Sequence, residues 1–513
     1  MTEETDADDY KTLTTHLRNG LEQTLTRPDG STVNTQYFLD GKIKQRTGTG
    51  IVPEYYSYTA NAAGGMTTTV RLGSATGVRY QATTVDLLGR TISQEVPGNG
   101  GAIAVYSSYV GGSSRPARIS SSAPGVAVKF FEYDAFATAT RQGETVRSGA
   151  TGLVLSSASD RIQESEISML NDATGLWQVR KQFTYPNEGA TATNRYLLTE
   201  SRSKIAGFAA DETQRTYSLD ALGNWQQQVT EERVADRLRI ERATSNGSAG
   251  EAVTVYHGGL MVEQRRPADT VSTRMSYDSL GRLISHQQPH HVHVSSTTYT
   301  VGKNQVISRS DAAGAVTSYG YFPQGALGAG RVASVTYADA TVRRSAYDIR
   351  GNMTNEWGSA TAPTSYTFDA YNQMETLATY RTAITADSAF FPTTLGAPDV
   401  TTWVRQEATG LLTQKKYADN KGPVYLYDIA GRLTRRTTAR GTVTDYAYTA
   451  WGQPDVTNYA DTTPDADIDY DRMGRKTRES NGTATSSYQY SATTLRPTLY
   501  CRASRFVEMR SFP

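Results

Sequence analysis

The chain has one cysteine, Cys501, in 513 residues. An internal disulfide is therefore impossible, and four-cysteine or Cys/His zinc frameworks are excluded, so burial and backbone pairing must hold the fold. No run of 18 uncharged apolar residues occurs, and no transmembrane helix is expected. Charge of one sign is also missing: 52 Lys and Arg face 51 Asp and Glu, which leaves no global field to gather phosphates or an anionic bilayer. General nucleic-acid binding is disfavoured on that ground. Residues 1–9 carry five acids and no base ahead of any apolar run, the opposite of a basic leader followed by an apolar core, so no signal peptide is expected.

What is present is equally uneven. Tyr numbers 32 against 12 Phe and 5 Trp, with 44 Gly and only 17 Pro, a mixture that suits strands joined by tight turns. Aromatics at 10% provide enough surface to bury against chain entropy, which argues against disorder. Hydrophobic residues at 37% are few for a solid core in a chain of this length.

The sequence repeats. Six segments place Asp three residues before Gly and follow the Gly with Arg or Asn. They are Val85-Asp86-Leu87-Leu88-Gly89-Arg90, Leu219-Asp220-Ala221-Leu222-Gly223-Asn224, Tyr277-Asp278-Ser279-Leu280-Gly281-Arg282, Tyr347-Asp348-Ile349-Arg350-Gly351-Asn352, Tyr427-Asp428-Ile429-Ala430-Gly431-Arg432 and Tyr470-Asp471-Arg472-Met473-Gly474-Arg475. Two more copies lack the glycine, at Tyr133-Asp134-Ala135-Phe136-Ala137 and Phe368-Asp369-Ala370-Tyr371-Asn372. Asn372 tolerates a positive φ whereas Ala137 does so poorly, which predicts a changed turn after Tyr133. Ala-Thr-Gly-Leu recurs at 173–176 and 408–411, Gly-x-Val-Thr-x-Tyr-x-Tyr at 314–321 and 441–448, and Tyr-Ala-Asp begins at Tyr337, Tyr417 and Tyr459. Spacings of 21, 43 and 59 residues between Asp348 and Asp369, Asp428 and Asp471, and Asp369 and Asp428 fit a unit of about 20 residues, one hairpin per period.

Within one unit, Asp accepts backbone N–H groups two residues on, and Gly takes the left-handed conformation that closes a type I turn with a bulge. The ring of the preceding Tyr is expected to cover the hairpin end and stack on the Tyr of the next repeat, its hydroxyl reaching solvent or a carbonyl. Segments 161–167 and 211–242 are more charged and open to a helical reading, but Thr, Val and aromatic residues interrupt the period, so few helices are expected. The fold class that follows is all-β: tandem β-hairpins side by side in an antiparallel sheet that must twist, curl and spiral, as an open or partial hollow shell.

These turns resemble the YD-repeat or RHS-repeat family, which includes bacterial Rhs polymorphic toxins, shell-forming components of insecticidal toxin complexes, and teneurins. The resemblance covers roughly 85–490, between an amino-terminal meander at 1–84 and a non-repeat tail at 491–513. It implies a hollow shell of hairpins that, in toxin members, encloses a toxic carboxy-terminal polypeptide, and it suggests a secreted or cell-surface protein. An Asp-Pro-x-Gly core-associated segment, expected in toxin members, is missing, which makes a fragment or truncated gene product the expectation.

Other constellations carry less. His286, His290, His291 and His293 lie close together, but no acid or cysteine ligand accompanies them in sequence, so a solvated hairpin is preferred to a metal site. Gly98-Asn99-Gly100-Gly101 and Gly325-Ala326-Leu327-Gly328-Ala329-Gly330 open no helix and precede no Gly-Lys-Ser/Thr, so they are loops and not phosphate cradles. The adjacent Glu231 and Glu232 do not make a glycosidase pair, and one Asp per turn is a poor calcium loop. Cys501, with Arg502 beside it, lacks a histidine partner. The expectation is therefore a non-catalytic wall with no cofactor and no metal. Its partners would be a protein cargo or further shell segments, with a surface adhesion or glycan-binding module as the alternative.

Overall fold

The computed structural model describes residues 1–62, 64–136, 138–147, 155–186, 195–220, 223–289, 294–382, 384, 388–482, 484–491, 497–503 and 507–511, with side chains through Tyr500. Among these, 42 strands follow one another from Thr2–Thr5 to Val507–Ser511, and one 3-10 turn at Val234–Asp236 is the helical content. Each strand pairs antiparallel with the next, so the chain is a single uninterrupted meander whose first and last strands do not meet. Thr, Tyr and Val in alternation give short strands, and many of them end where an Asp or Asn with Gly supplies a turn. The unit at Thr273–Tyr277 and Leu283–Gln287 is representative: Met275 faces His286, Ser276 faces Ser285, and the register slips one residue so that Tyr277 faces Leu283. That slip is the expected bulge. The two charged segments are strands too, at Arg161–Asp172 and at Glu212–Asp220, Trp225–Arg233 and Leu238–Ser245.

The sheet has no filled interior. Its accessible surface is 29183 Å², whereas a compact monomer of 55.9 kDa would expose about 18,000 Å². Most side chains on both faces are half-buried by their neighbours in the wall. Among the described residues the one buried apolar cluster, Leu155, Ile162 and Tyr185 with Phe130 against it, is small.

Strand direction alternates, so turns after odd-numbered strands line one edge of the wall, here the upper edge, and turns after even-numbered strands line the lower edge. The turns at Asp86, Asp134, Asp278, Asp348, Asp369, Asp428 and Asp471 all lie on the lower edge. The Asp220 turn lies on the upper one, between Glu212–Asp220 and Trp225–Arg233.

Candidate interface: turn clamps and the seam of the wall

The repeat turn has the chemistry its residues dictate. At 86–90 the Asp86 amide donates to the Arg90 carbonyl and the Gly89 amide to the Asp86 carbonyl, both at 3.0 Å. Asp86 Oδ1 accepts the amides of Leu88 and Arg90 at 2.9 and 3.0 Å. Gly89 has φ +75°, and a Cβ there would touch nothing, so glycine is needed for its conformation alone. Asp278 with Gly281, Asp348 with Gly351, Asp428 with Gly431 and Asp471 with Gly474 repeat the two backbone bonds, and their glycines have φ between +77° and +82°. Asp220 and Gly223 make the same pair of bonds, with Ala221 and Leu222 outside the described residues.

One expectation changes, and another rests on a residue outside the described ones. After Tyr133 the turn keeps its Asp pattern: Asp134 Oδ1 accepts the amides of Phe136 and Thr138 at 2.9 and 2.8 Å. Ala137 itself lies outside the described residues, but Ala340 occupies the corresponding place of the Tyr337 turn with φ +65°. At Ala340 the left-handed cost to alanine is met by the turn's own hydrogen bonds.

Among the described residues the repeat tyrosines do not stack on one another. Turns on one edge are two strands apart, about 9.6 Å, a gap that larger reaches can bridge, as Phe38 does to Tyr58 and Phe322 to Tyr347, both at 5.9 Å. An arginine fills the gap. Arg90, Arg282, Arg432 and Arg475 each place Nε or Nη2 on Oδ2 of the turn Asp at 2.6 to 2.7 Å. Each guanidinium also lies over the ring of a tyrosine one hairpin on: Tyr109, Tyr299, Tyr448 and Tyr490, at 4.8, 4.5, 4.9 and 4.1 Å from the centroid. Those same tyrosines donate their hydroxyls to the carbonyl next after the arginine, on Thr91, Leu283, Leu433 and Lys476. Tyr277, Tyr347 and Tyr427 donate likewise, to Met261, Val332 and Leu412. Asp, Arg and Tyr therefore clamp consecutive hairpins, and bonding to Arg90 and Arg282 holds the Asp86 and Asp278 carboxyls below the usual range.

Beyond these local clamps, the wall meets itself. Hydrogen bonds join residues 292 to 328 apart, always from the upper edge of the first part of the chain to the lower edge of the last part. Asp8 Oδ1 accepts the amides of Asn304 and Gln305, Lys303 Nζ sits 2.9 Å from Asp9, and the Tyr10 hydroxyl donates to Phe322 O at 2.6 Å. Arg79 covers the Tyr371 ring at 3.8 Å and donates to Gln373 and to Glu407 O. Asn99 donates to Tyr427 O, and Arg161 stacks on Trp451 while donating to Gln453 and Arg472 O. Each contact skips 23 to 25 strands. One circuit is thus about 24 strands or roughly 115 Å of wall, the circumference of a circle about 35 Å across.

Glycine loops seat the apolar tips of the docked turns. Ile429, next to Asp428, lies on Gly98 and Gly101: a Cβ on Gly98 would be 2.8 Å from Ile429 O, and one on Gly101 would be 3.5 Å from Ile429 Cδ1. Tyr371 lies on Gly73, and Ile349 shares a crevice with Gly48 and Thr49. In the second glycine segment the polarity reverses, with Gly330 under the Tyr10 ring and the Gly325 amide donating to Pro28 O. Sequence reasoning placed both glycine segments in loops and missed their role, because a docking loop has no signature without its distant partner.

A buried latch closes the far end. Asp160, 1% exposed, pairs with Arg147 and accepts the Ser156 amide at 2.7 Å. Arg472, 6% exposed, comes from the opposite circuit and donates to the carbonyls of Asp160, Ser157 and Ser156. Burial would raise the Asp160 carboxyl, but Arg147, the Ser156 amide and Thr145 outweigh it and hold it below the usual range. Tyr185, beneath the Arg472 guanidinium, is pushed up to about 12 by burial and by its bond to Glu164. Of the histidine group, His290, His291 and His293 lie outside the described residues, and His286 is in the strand Leu283–Gln287.

No family model matches the chain, and no curated protein matches it. Solved structures do. The chain is similar to a chain of a mutant Tc holotoxin pore from Photorhabdus luminescens, with 10% identity and a TM-score of 0.52, over 98% of this chain and 33% of that one. It is also similar to TcdB2-TccC3-TEV, with 12% identity and a TM-score of 0.46, over 97% of this chain and 29% of that one. The chain spans about a third of the length of these structures. The fold of the first is shared, and the resemblance to YD-repeat shells carried by the turn motifs agrees with it.

Proposed function

We propose that this chain is a non-catalytic section of shell wall that encloses or displays another polypeptide. The observation that carries the reading is the seam: a wall that meets its own edge after about 24 strands surrounds a space and does not bury a core. The shared fold with a chain of a Tc holotoxin pore supports the same reading, with a toxin-like polypeptide as the class of cargo. Adhesion through aromatic faces is the weaker alternative, because the clamp tyrosines have their rings covered by arginine and their hydroxyls bonded.

The test is protection. A short unstructured polypeptide appended after Pro513 is expected to resist protease while the wall is folded and to be digested once Arg472→Ala loosens the seam. Digestion at the rate of the free polypeptide in both forms would end the enclosure reading.

A further inference from the structure

The free lower edge carries what the docked lower edge hides. Where the circuits meet, Ile349, Tyr371, Ile429 and Met473 at the turn tips are half-buried. Along the first circuit, five of the lower-edge turns carry bare apolar tips: Leu39 is 110% exposed, Leu87 77%, Leu88 63%, Phe136 88%, Val234 86% and Leu280 62%. Single exposed apolar residues are ordinary, but their recurrence at the turn tips along one edge is not. The free upper edge of the later circuit carries mostly small exposed tips such as Ala313, Ala338, Ala340, Ala418 and Ala439, together with the exposed rings of Tyr337, Phe390 and Tyr417.

We propose that this apolar rim seats the free upper edge of a second copy of the chain, so that copies stack head to tail along the axis of the spiral. The occupant is argued from the seam itself, whose construction the rim continues: an apolar tip on a glycine loop. Leu87 holds the position of Ile429, the residue after the turn Asp. A free loop of the type that seats Ile429 exists on the upper edge at Asn246-Gly247-Ser248-Ala249-Gly250, with φ +75° at Gly247 and four of its five residues exposed. Upper-edge loops at 311–314 and 337–340 continue the same track. One chain thus owns both halves of the contact, displaced along the wall, which is the condition for a heterologous, repeating interface. The proposal extends the shell-wall reading, but its test measures association and not cargo protection, so either can fail alone.

Sedimentation velocity of the full chain over a concentration series is expected to show reversible association. Leu87→Ser/Leu88→Ser/Phe136→Ser should weaken it at least about tenfold while leaving the circular dichroism melt unchanged. Benzoylphenylalanine at Leu88 should crosslink to loops 246–250, 311–314 or 337–340 of the second copy. A chain that stays monomeric at every concentration overturns the proposal. So do a triple variant that associates as tightly as the parent and crosslinks that scatter over strand faces.

Discussion

The turn at Asp428 and the turn at Asp86 have the same backbone bonds, the same arginine clamp and the same left-handed glycine, yet they live in different surroundings. Ile429 rests on the loop at 98–101, and Leu87 is in water apart from its contact with the neighbouring glycine turn at Gly64. Local sequence builds both hairpins identically. What separates them is whether another circuit of wall passes alongside, and the difference shows that the wall is held by two sets of contacts, clamps between neighbouring hairpins and a seam between circuits, with Arg432 and Tyr427 taking part in both.

The sharpest way to break that distinction is at the latch. Arg472→Ala removes a buried guanidinium from three carbonyls and is expected to cost about 3 kcal/mol in denaturant unfolding. Hydrogen exchange should rise at 156–160 while the strands of a clamped pair such as Thr273–Tyr277 and Leu283–Gln287 stay protected. Equal loosening everywhere would merge the two systems into one.

Glycines give the next contrast. Gly98→Ala drives a Cβ to within 2.8 Å of the carbonyl oxygens of Gly101 and Ile429, and should cost about 2 kcal/mol by overpacking the seam. Gly89→Ala meets no atom and should cost only the left-handed strain, about 1 kcal/mol. Thermal melts of the two variants would reverse this order if φ mattered more than docking. At the turn tips the expected effects are smaller still. Ile429→Ser should cost about 1 kcal/mol, and Leu87→Ser, measured in the monomer, should stay within about 0.5 kcal/mol of the parent.

Acidity separates the systems by location. The folded Asp160 carboxyl titrates below its unfolded value, so its contribution is complete above about pH 4 and is lost as pH falls through the folded value. Tyr185 is raised, so its contribution is complete below about pH 10 and is lost as pH climbs toward 12. Exchange at 156–160 measured from acid to alkali should show a protected plateau between these limits. Asp160→Asn should flatten the acid side of that plateau, and an unchanged acid limb would remove the latch from the account.

Much of the wall was legible in the residues. Asp with Gly at fixed spacing names its own turn, since an Asx cap and a left-handed glycine need no distant partner. The Arg–Tyr clamp was half legible: the hydroxyl on a carbonyl was expected, but the ring partner was not, because which side chain crosses the two-strand gap depends on the register of the strands between. Arg90 and Tyr109 are 19 residues apart with a hairpin between them, and only the register places one over the other.

The hairpins, their order in a meander and the lack of a filled core follow from the residues, because each rests on contacts within about one repeat. Which edge meets which was decided by the tertiary structure alone. That outcome sums a small twist and curl over about 24 strands, and no single residue encodes the sum. Gly98 and Ile429 become partners only after the wall has turned a full circuit.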